Sequence, residues 1–185
     1  QDRNYNNEKS YVEIGDNNII REFVTIHIAT GEETKTIIGN NCFIMAYCHI
    51  AHNCIVGNKV TMINGSTLGG HVEIEDCAYL SGFTPITQFL KIGSMVMLGP
   101  ISKPTKDIPP YLMADGNPLK IYGLNTRGLD RNDVPEDVKE TIKNAYKIMY
   151  RSKLNVSDAL KKVVETIPMN DYIKHFVEFI KNSKN

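Results

Sequence analysis

An aliphatic residue recurs at every sixth position over most of the first hundred residues of this chain. The series begins at Ile14 and ends at Leu98, and glycine often follows its members, as at Gly15 and Gly57. Every member except Glu32 is aliphatic or methionine: Ile14, Ile20, Ile26, Glu32, Ile38, Ile44, Ile50, Val56, Met62, Leu68, Ile74, Leu80, Ile86, Ile92 and Leu98. A period of six is neither the 3.6-residue period of an α-helix nor the simple alternation of a half-buried strand.

This period predicts a left-handed parallel β-helix with the shape of a triangular prism. Six residues at about 3.3 Å each form one short strand and a corner, and three such units complete a coil of 18 residues. The aliphatic residues point inward and stack between coils, while glycine, asparagine and aspartate provide the corner conformations. We expect the polar stretch ATGEETK around Glu32 to protrude from a corner as a loop without changing the register.

The periodicity ends near Lys103, and helical patterns appear after a proline-rich stretch. Apolar residues at helical spacing predict three helices. The first contains Val138, Ile142, Ala145 and Met149, with Pro135 in its first turn. The second contains Leu160, Val163, Val164 and Ile167 and follows Ser157, and the third contains Tyr172, Ile173, Phe176, Val177 and Ile180 and follows Asn170. We therefore divide the chain into a β-helix domain over 1–103, a proline-rich connection over 104–132 and a C-terminal α-helical domain over 133–185.

Charge and cysteine content restrict the function classes. The 21 basic side chains balance the 21 acidic ones, which argues against a dedicated binder of nucleic acids or anionic membranes. The longest apolar run, 42–48, is much shorter than the roughly 20 residues of a membrane-spanning helix. The four cysteines form no CxxC pair, and Cys42, Cys48 and Cys54 fall on successive faces, where they can pack but cannot share a metal. We expect a soluble protein in the reducing cytoplasm.

The coil length converts sequence separation into position around the prism. His71 follows His52 by one coil and one further residue, and Gln88 follows His52 by two whole coils, so all three are predicted to line one groove. A histidine there is suited to act as a general base on a hydroxyl group, since its ordinary pKa is about 6.5. Two alternatives remain: any single histidine is more commonly an ordinary polar residue, and some β-helical enzymes bind zinc through histidines of neighbouring subunits. The spacings here do not resemble that zinc pattern.

The first C-terminal helix also carries a basic stripe, in which Lys139, Lys143, Lys147 and Arg151 repeat at intervals of four. A solvated helix face is the common explanation of such a pattern. In a chain without net charge, this local concentration is also suited to dock an acidic carrier.

Several runs of the sequence together resemble one family. They are HIAHNCIVGN at 49–58, LGGHVEI at 68–74, TQFLKIG at 87–93, DIPPYLMADGNP at 107–118, GLNTRGLDR at 123–131 and IKNAYKIMYRS at 142–152. The family is UDP-N-acetylglucosamine O-acyltransferase, the first enzyme of lipid A synthesis. The resemblance implies a cytoplasmic homotrimer with active sites between subunits. It implies transfer of an (R)-3-hydroxyacyl group from acyl carrier protein to the 3-hydroxyl of UDP-N-acetylglucosamine, with no metal or cofactor.

The resemblance also implies roles for individual residues. His52 would be the general base that deprotonates the sugar hydroxyl as it attacks the thioester, and the Gly70 N–H would stabilise the oxyanion. The remaining matches are Asp2, His27, His71 and Gln88 around the sugar and pantetheine, Asn125 and Arg131 at the nucleotide, and the basic helix stripe as the carrier-protein dock.

The sequence departs from the family pattern in places. Asn53 stands where an aspartate commonly follows the catalytic histidine, and an amide stabilises an imidazolium less well, so a slower enzyme is expected. The sugar pocket is altered at Asn4, Ile28 and Thr87. Two other functions therefore stay open: N-acylation of a 3-amino UDP-sugar, and a non-catalytic trimer that binds acyl carrier protein or nucleotide. Because relatives have further coils before the position of Gln1, we expect this sequence to be a fragment.

Overall fold

The N-terminal part of the chain forms a three-faced prism in the computed structural model, which describes residues 2–183. Short strands alternate with corners, because a period of six leaves only a few extended residues per unit. The strands are β1 Tyr11–Ile14, β2 Ile19–Ile20, β3 Thr25–Ile26, β4 Lys35–Ile38, β5 Phe43–Ile44, β6 His49–Ile50, β7 Ile55–Val56, β8 Thr61–Met62, β9 Thr67–Leu68, β10 Glu73–Ile74, β11 Tyr79–Leu80, β12 Pro85–Ile86, β13 Lys91–Ile92 and β14 Met97–Leu98.

Parallel pairing between successive coils builds one sheet on each face. The first face holds β1, β4, β7, β10 and β13, the second holds β2, β5, β8, β11 and β14, and the third holds β3, β6, β9 and β12. Residues that pair, such as Ile74 and Ile92, are separated by three units of the period, which is the predicted length of a coil. The prediction of a left-handed parallel β-helix followed by α-helices is confirmed.

The loop around Glu32 lengthens one coil by a whole unit. Tyr11 pairs with Lys35, so this coil contains four units of the period instead of three. The extra unit forms a turn in which the Thr34 hydroxyl donates to the Thr30 carbonyl oxygen. Because the added length equals one period, the aliphatic series continues beyond the loop in the same register, as the sequence predicted.

The aliphatic series fills the interior of the prism. Its members from Ile38 to Leu98 are all buried. Ile14 and Ile20 are 44% and 39% exposed, because no described coil packs against the outer side of the first coil. Burial of an inward-facing side chain therefore needs a coil on each side of it.

The cysteines of the prism are part of this packing. Cys42, Cys48 and Cys54 are buried and unpaired. The Cys54 thiol donates to the Gly69 carbonyl oxygen at 3.1 Å, and burial raises its pKa to about 11. A thiol held in its neutral form in this way is unreactive, which agrees with a packing role.

A β-hairpin continues the second face beyond the hexad series. Strand β15, Leu112–Asp115, pairs in parallel with β14 and antiparallel with β16, Lys120–Leu124. A short helix, α1, follows over Thr126–Arg131. The structure thus places two strands and a helix within 104–132, where the sequence analysis expected a connection, because strand β15 pairs with the backbone groups at the edge of β14.

Three longer helices complete the fold, as predicted: α2 Glu136–Arg151, α3 Val156–Thr166 and α4 Asp171–Asn182. Pro135 is the N-cap residue of α2 and not part of its first turn, because its backbone is extended. Helix α3 begins before Ser157, because the Asn155 side chain accepts a hydrogen bond from the Asp158 N–H and caps the helix earlier than expected. Asn170 caps α4, as the sequence indicated. The helices and hairpin share a second core, which comprises Tyr111, Leu112, Leu129, Val134, Ile142, Ala145, Tyr146, Val163, Ile173, Phe176 and Val177.

A polar cluster of Glu75, Ser94, Tyr111 and His175 joins helix α4 to the prism; we refer to it as the His175 latch. His175 Nε2 lies 2.9 Å from Glu75 Oε2, and its Nδ1 lies 2.8 Å from the Tyr111 hydroxyl. The hydrogen bond to Glu75 raises the pKa of His175. Burial alone would raise the pKa of Glu75, but hydrogen bonds from His175 and Ser94 outweigh it and hold the pKa below its ordinary value.

The latch predicts a stability that depends on pH. The contribution of His175 is complete below its ordinary pKa and is lost as the pH rises through its raised pKa, whereas the contribution of Glu75 is lost as the pH falls from its ordinary pKa through its lowered pKa. We expect His175→Gln to lower the free energy of unfolding by about 1–2 kcal/mol near pH 6 and by less above pH 8. Chemical denaturation across this range measures the difference. Lys174→Gln, on the same helix, is the control, and a His175→Gln effect that does not vary with pH would contradict the latch.

Candidate active site

His52 lies at the corner between the third and the first face. Asn53, the next residue, has a left-handed backbone with φ 59°, and His71 and Phe89 have φ 60° and 66° at the same position in the next two coils. Such angles are unfavourable for most side chains, so the corner, rather than residue preference, imposes them. Residues 52, 70 and 88 each precede one of these turns and therefore form a column along the corner.

Gly70 provides the space that the His52 ring occupies. A Cβ atom at residue 70 would lie 2.6 Å from His52 Nε2, closer than any side chain allows. Gly70 has no positive φ, so the requirement for glycine comes from the imidazole and not from the backbone. Within the described part of the chain, the Gly70 N–H donates no hydrogen bond. The column thus brings a histidine nitrogen next to an available backbone donor.

The hydrogen bonds of Asn53 determine the tautomer of His52. The Asn53 Nδ2 group donates to the Thr30 carbonyl oxygen at 3.0 Å, and its Oδ1 accepts from the Thr30 N–H at 2.9 Å. The same Oδ1 lies 2.9 Å from His52 Nδ1. Because an amide oxygen only accepts, the neutral imidazole carries its proton on Nδ1 and has a free lone pair on Nε2. This is the state that a general base requires.

The other predicted polar residues of the corner lie close by. The His71 ring meets the His52 ring edge to face, with 5.2 Å between centroids, and stacks on Phe89 at 4.8 Å. Burial, together with the nearby His52, lowers the pKa of His71. Gln88 is exposed one coil beyond Gly70 in the same column. His52, His71 and Gln88 therefore lie at one edge of the prism, as their spacing predicts.

Two residues near the start of the chain also reach this region. His27 lies 4.9 Å, centroid to centroid, from His49, whose Nδ1 is 2.8 Å from the Thr25 hydroxyl. The Asp2 carboxylate lies 3.7 Å from His52 Nδ1. The spacing of the histidines predicts no role for His49. The contact of His49 with His27 follows only from the longer coil, in which Thr25 pairs with His49.

Asn125 and Arg131 lie on a different face. They line a groove of about 510 Å³ on the outside of the second face, together with Tyr79, Met97, Met113, Leu124, Thr126 and Arg127. Asn125 is buried: its Oδ1 accepts from the Gly128 N–H, and its Nδ2 donates to the Met95 carbonyl oxygen. Its amide thus caps α1 and ties it to the prism, while Arg131 is exposed.

The basic stripe of α2 is less uniform than the sequence suggested. Lys139 bonds to both Asp130 and Glu136, and only 16% of its side chain is exposed. Lys143 pairs with Glu140 at 3.1 Å, while Lys147 makes no ion pair among residues 2–183. Lys143, Lys147 and Arg151 border a groove of about 410 Å³ with Leu124, Thr126 and Tyr146. The carboxylates of Asp130 and Glu136 offset the charge of Lys139, so the uncompensated positive charge of the stripe lies toward the end of the helix.

Metal clusters and membrane-spanning helices are both absent from residues 2–183. No group of three or more histidine, cysteine, aspartate or glutamate side chains in this range could hold a metal ion. No helix there is long and apolar enough to cross a membrane.

The prism and its corner histidine define the class of hexapeptide-repeat transferases, and residues 35–70 match the family described as bacterial transferase hexapeptide. Residues 107–185 match the family described as UDP N-acetylglucosamine O-acyltransferase, domain 2. The chain is 45% identical over 185 residues to acyl-[acyl-carrier-protein]–UDP-N-acetylglucosamine O-acyltransferase of Thermodesulfovibrio yellowstonii, covering 100% of the chain and 72% of the relative. The chain belongs to this family of acyltransferases.

Other relatives agree with this assignment. The enzyme of the same name from Gloeothece citriformis is 41% identical over 183 residues, which are 99% of this chain and 66% of that relative. The crystal structure of a UDP-N-acetylglucosamine acyltransferase from Bacteroides fragilis superposes with a TM-score of 0.96 and 39% identity, covering 100% of this chain and 72% of that chain. The chain thus spans about two thirds to three quarters of the length of these relatives.

Proposed function

We propose that this chain transfers an (R)-3-hydroxyacyl group from acyl carrier protein to the 3-hydroxyl of UDP-N-acetylglucosamine, the first step of lipid A biosynthesis. The observation that carries the proposal is the free Nε2 lone pair of His52 beside Gly70. This arrangement provides a base and a backbone donor at one point, and acyl transfer from a thioester to an alcohol needs both. The names of the relatives provide the donor and the acceptor.

The reaction follows from these two groups. His52 Nε2 takes the proton of the sugar hydroxyl while the hydroxyl oxygen attacks the thioester carbonyl carbon. The carbonyl oxygen becomes an oxyanion, to which the Gly70 N–H donates a hydrogen bond. When the tetrahedral intermediate collapses, the carbon–sulfur bond breaks and the His52 imidazolium protonates the leaving thiolate. The products are the sugar ester and the free carrier thiol, and the proposed path needs no metal, cofactor or covalent enzyme intermediate.

We assign the remaining polar groups of the corner to substrate binding. Asp2, His27, His71 and Gln88 would surround the sugar and the pantetheine arm, and Arg131 would bind a phosphate of the nucleotide. Asn125 would contribute through the position of helix α1 as well as by contact, because its amide already makes two hydrogen bonds.

The placement of these groups supports a homotrimer with shared active sites. His52 lies at the corner between the third and first faces, whereas Asn125 and Arg131 line the outside of the second face, which is opposite that corner in a three-sided prism. A substrate that contacts both sets would bridge two copies of the chain. We place this reaction in the cytoplasm, where acyl carrier protein is its partner.

The basic helix provides a docking surface for the acidic carrier, and we expect the double variant Lys143→Glu, Lys147→Glu to raise the KM for acyl carrier protein about 10-fold at low salt. The kcat should change little, because these side chains are remote from His52. Steady-state kinetics with and without added salt test this, and Lys161→Glu, Lys162→Glu on α3 is the matched control. Equal effects of the two double variants, or a KM unaffected by either, would exclude this surface.

The proposed activity is tested by incubating the purified chain with a panel of (R)-3-hydroxyacyl carrier proteins and UDP-N-acetylglucosamine. We expect an ester product that mild base hydrolyses. A base-stable product formed only with a 3-amino UDP-sugar would indicate N-acylation instead. Carrier or nucleotide binding without turnover at any acyl length would indicate a non-catalytic β-helix.

A further inference from the structure

The partner of the His52 Nδ1–H is uncharged. Asn53 Oδ1 accepts this proton at 2.9 Å, and the hydrogen bonds of Asn53 with Thr30 prevent its amide from turning. An amide orients the imidazole well. It stabilises an imidazolium only through its dipole, so the positive charge that forms on His52 during acyl transfer receives little support from this residue.

A carboxylate approaches the same nitrogen from the start of the chain. Asp2 Oδ2 lies 3.7 Å from His52 Nδ1, and the two side chains are 16% and 18% exposed. The Asn4 N–H donates to Asp2 Oδ1 at 3.0 Å, which holds the carboxylate in place. This hydrogen bond is the main reason that the pKa of Asp2 lies below its ordinary value. Asp2 is therefore ionised in the neutral range and partly shielded from solvent.

The other titratable groups near His52 are histidines. Burial lowers the pKa of both His27 and His71, so both are neutral near pH 7 and neither provides a negative charge. Among residues 2–183, Asp2 is the only carboxylate within 4.0 Å of His52. Asp2 is therefore the described carboxylate best placed to stabilise an imidazolium on His52.

We propose that Asp2 is the charge partner of His52, and that in this chain it compensates for the neutral residue Asn53. Asp2 is then a positioning residue that acts through the imidazole, in addition to its place beside the sugar. Its attraction to His52 becomes strong only when Nε2 accepts the substrate proton, so it favours the transition state over the bound substrate. This proposal rests on the proposed acyltransferase function.

A double-mutant cycle between Asp2→Asn and Asn53→Asp tests the proposal. In the parent chain, we expect Asp2→Asn to lower kcat about 10-fold, with a smaller change in the KM for the sugar nucleotide. In the Asn53→Asp background, the same change should lower kcat by less than about 2-fold, because the new carboxylate takes over the role. Glu8→Gln is the control. Glu8 lies in the same N-terminal segment as Asp2, accepts a hydrogen bond from the Gly31 N–H and has no contact with His52.

Two results would overturn the proposal: an equal loss of kcat in both backgrounds, or an effect confined to the KM, which would make Asp2 a sugar ligand only. The affinity of the chain for UDP-N-acetylglucosamine, measured by calorimetry, provides a readout without turnover. It should fall by less than about 3-fold in Asp2→Asn and should not change in Glu8→Gln. A loss of more than about 10-fold in Asp2→Asn would make Asp2 a sugar ligand only and would contradict the proposal even if the chain proves inactive, so its failure is distinguishable from failure of the acyltransferase assignment.

Discussion

Replacing His52 with alanine is expected to lower kcat/KM for acyl transfer by about 10²–10⁴-fold, the contribution typical of a positioned general base. The variant should fold normally, because the His52 side chain lies at a corner outside the aliphatic core. It should also bind the sugar nucleotide with nearly unchanged affinity. Initial rates over a range of both substrates, together with a melting curve and a titration of UDP-N-acetylglucosamine, measure these quantities.

The result shows whether His52 or a neighbouring residue is the general base. If the alanine variant keeps more than a third of the parental rate, the general base is another residue. The tautomer that Asn53 favours in His52 then has no role in catalysis. If the rate falls only because nucleotide binding is lost, His52 is a ligand for the substrate instead of a base.

The second large effect is expected for Gly70→Ala. The added Cβ would lie 2.6 Å from His52 Nε2, so the imidazole must move away from the Gly70 N–H. A displaced base and a partly covered oxyanion donor should together reduce kcat/KM about 10²–10³-fold. The melting temperature should change little, because the side chain that yields lies outside the aliphatic core and the backbone at Gly70 accepts alanine.

Gly82→Ala is the matched control for this prediction. Gly82 precedes the left-handed residue Phe83 as Gly70 precedes the left-handed residue His71. A Cβ at Gly82 meets only the Asn64 carbonyl oxygen at 3.5 Å and Ile63 Cγ2 at 3.6 Å, which are ordinary contacts. Full activity of both alanine variants would show that the ring of His52 does not need its position over Gly70.

The sequence predicts much of this fold because the period of six acts on local and global structure together. It determines the strand length, the inward side chains and the length of a coil, and this coil length places His52, His71 and Gln88 on one corner. The same period does not predict the contacts of the segment that precedes β1. The Asp2 carboxylate lies 3.7 Å from His52 Nδ1, and no whole number of units separates the two residues.

Contacts between the prism and the C-terminal helices also could not be predicted from the sequence. His175 pairs with Glu75, which lies far earlier in the chain, and nothing in the helical pattern of α4 distinguishes this histidine from a solvated one. The hairpin of β15 and β16 was not predicted, because tertiary pairing with the edge of β14, rather than residue preference, makes these segments extended. Such pairings depend on which hydrogen-bonding groups the neighbouring element leaves without a partner.

The extra unit in the longer first coil shows how this fold can gain a functional site. Its residues Thr30 and Thr34 hold the Asn53 amide, and Asn53 in turn orients His52. An insertion equal to one period leaves the packing of all later coils in phase, yet it adds backbone donors and acceptors above a corner. In this chain the addition is one whole unit, and it is a site where polar groups are added at little cost to the core.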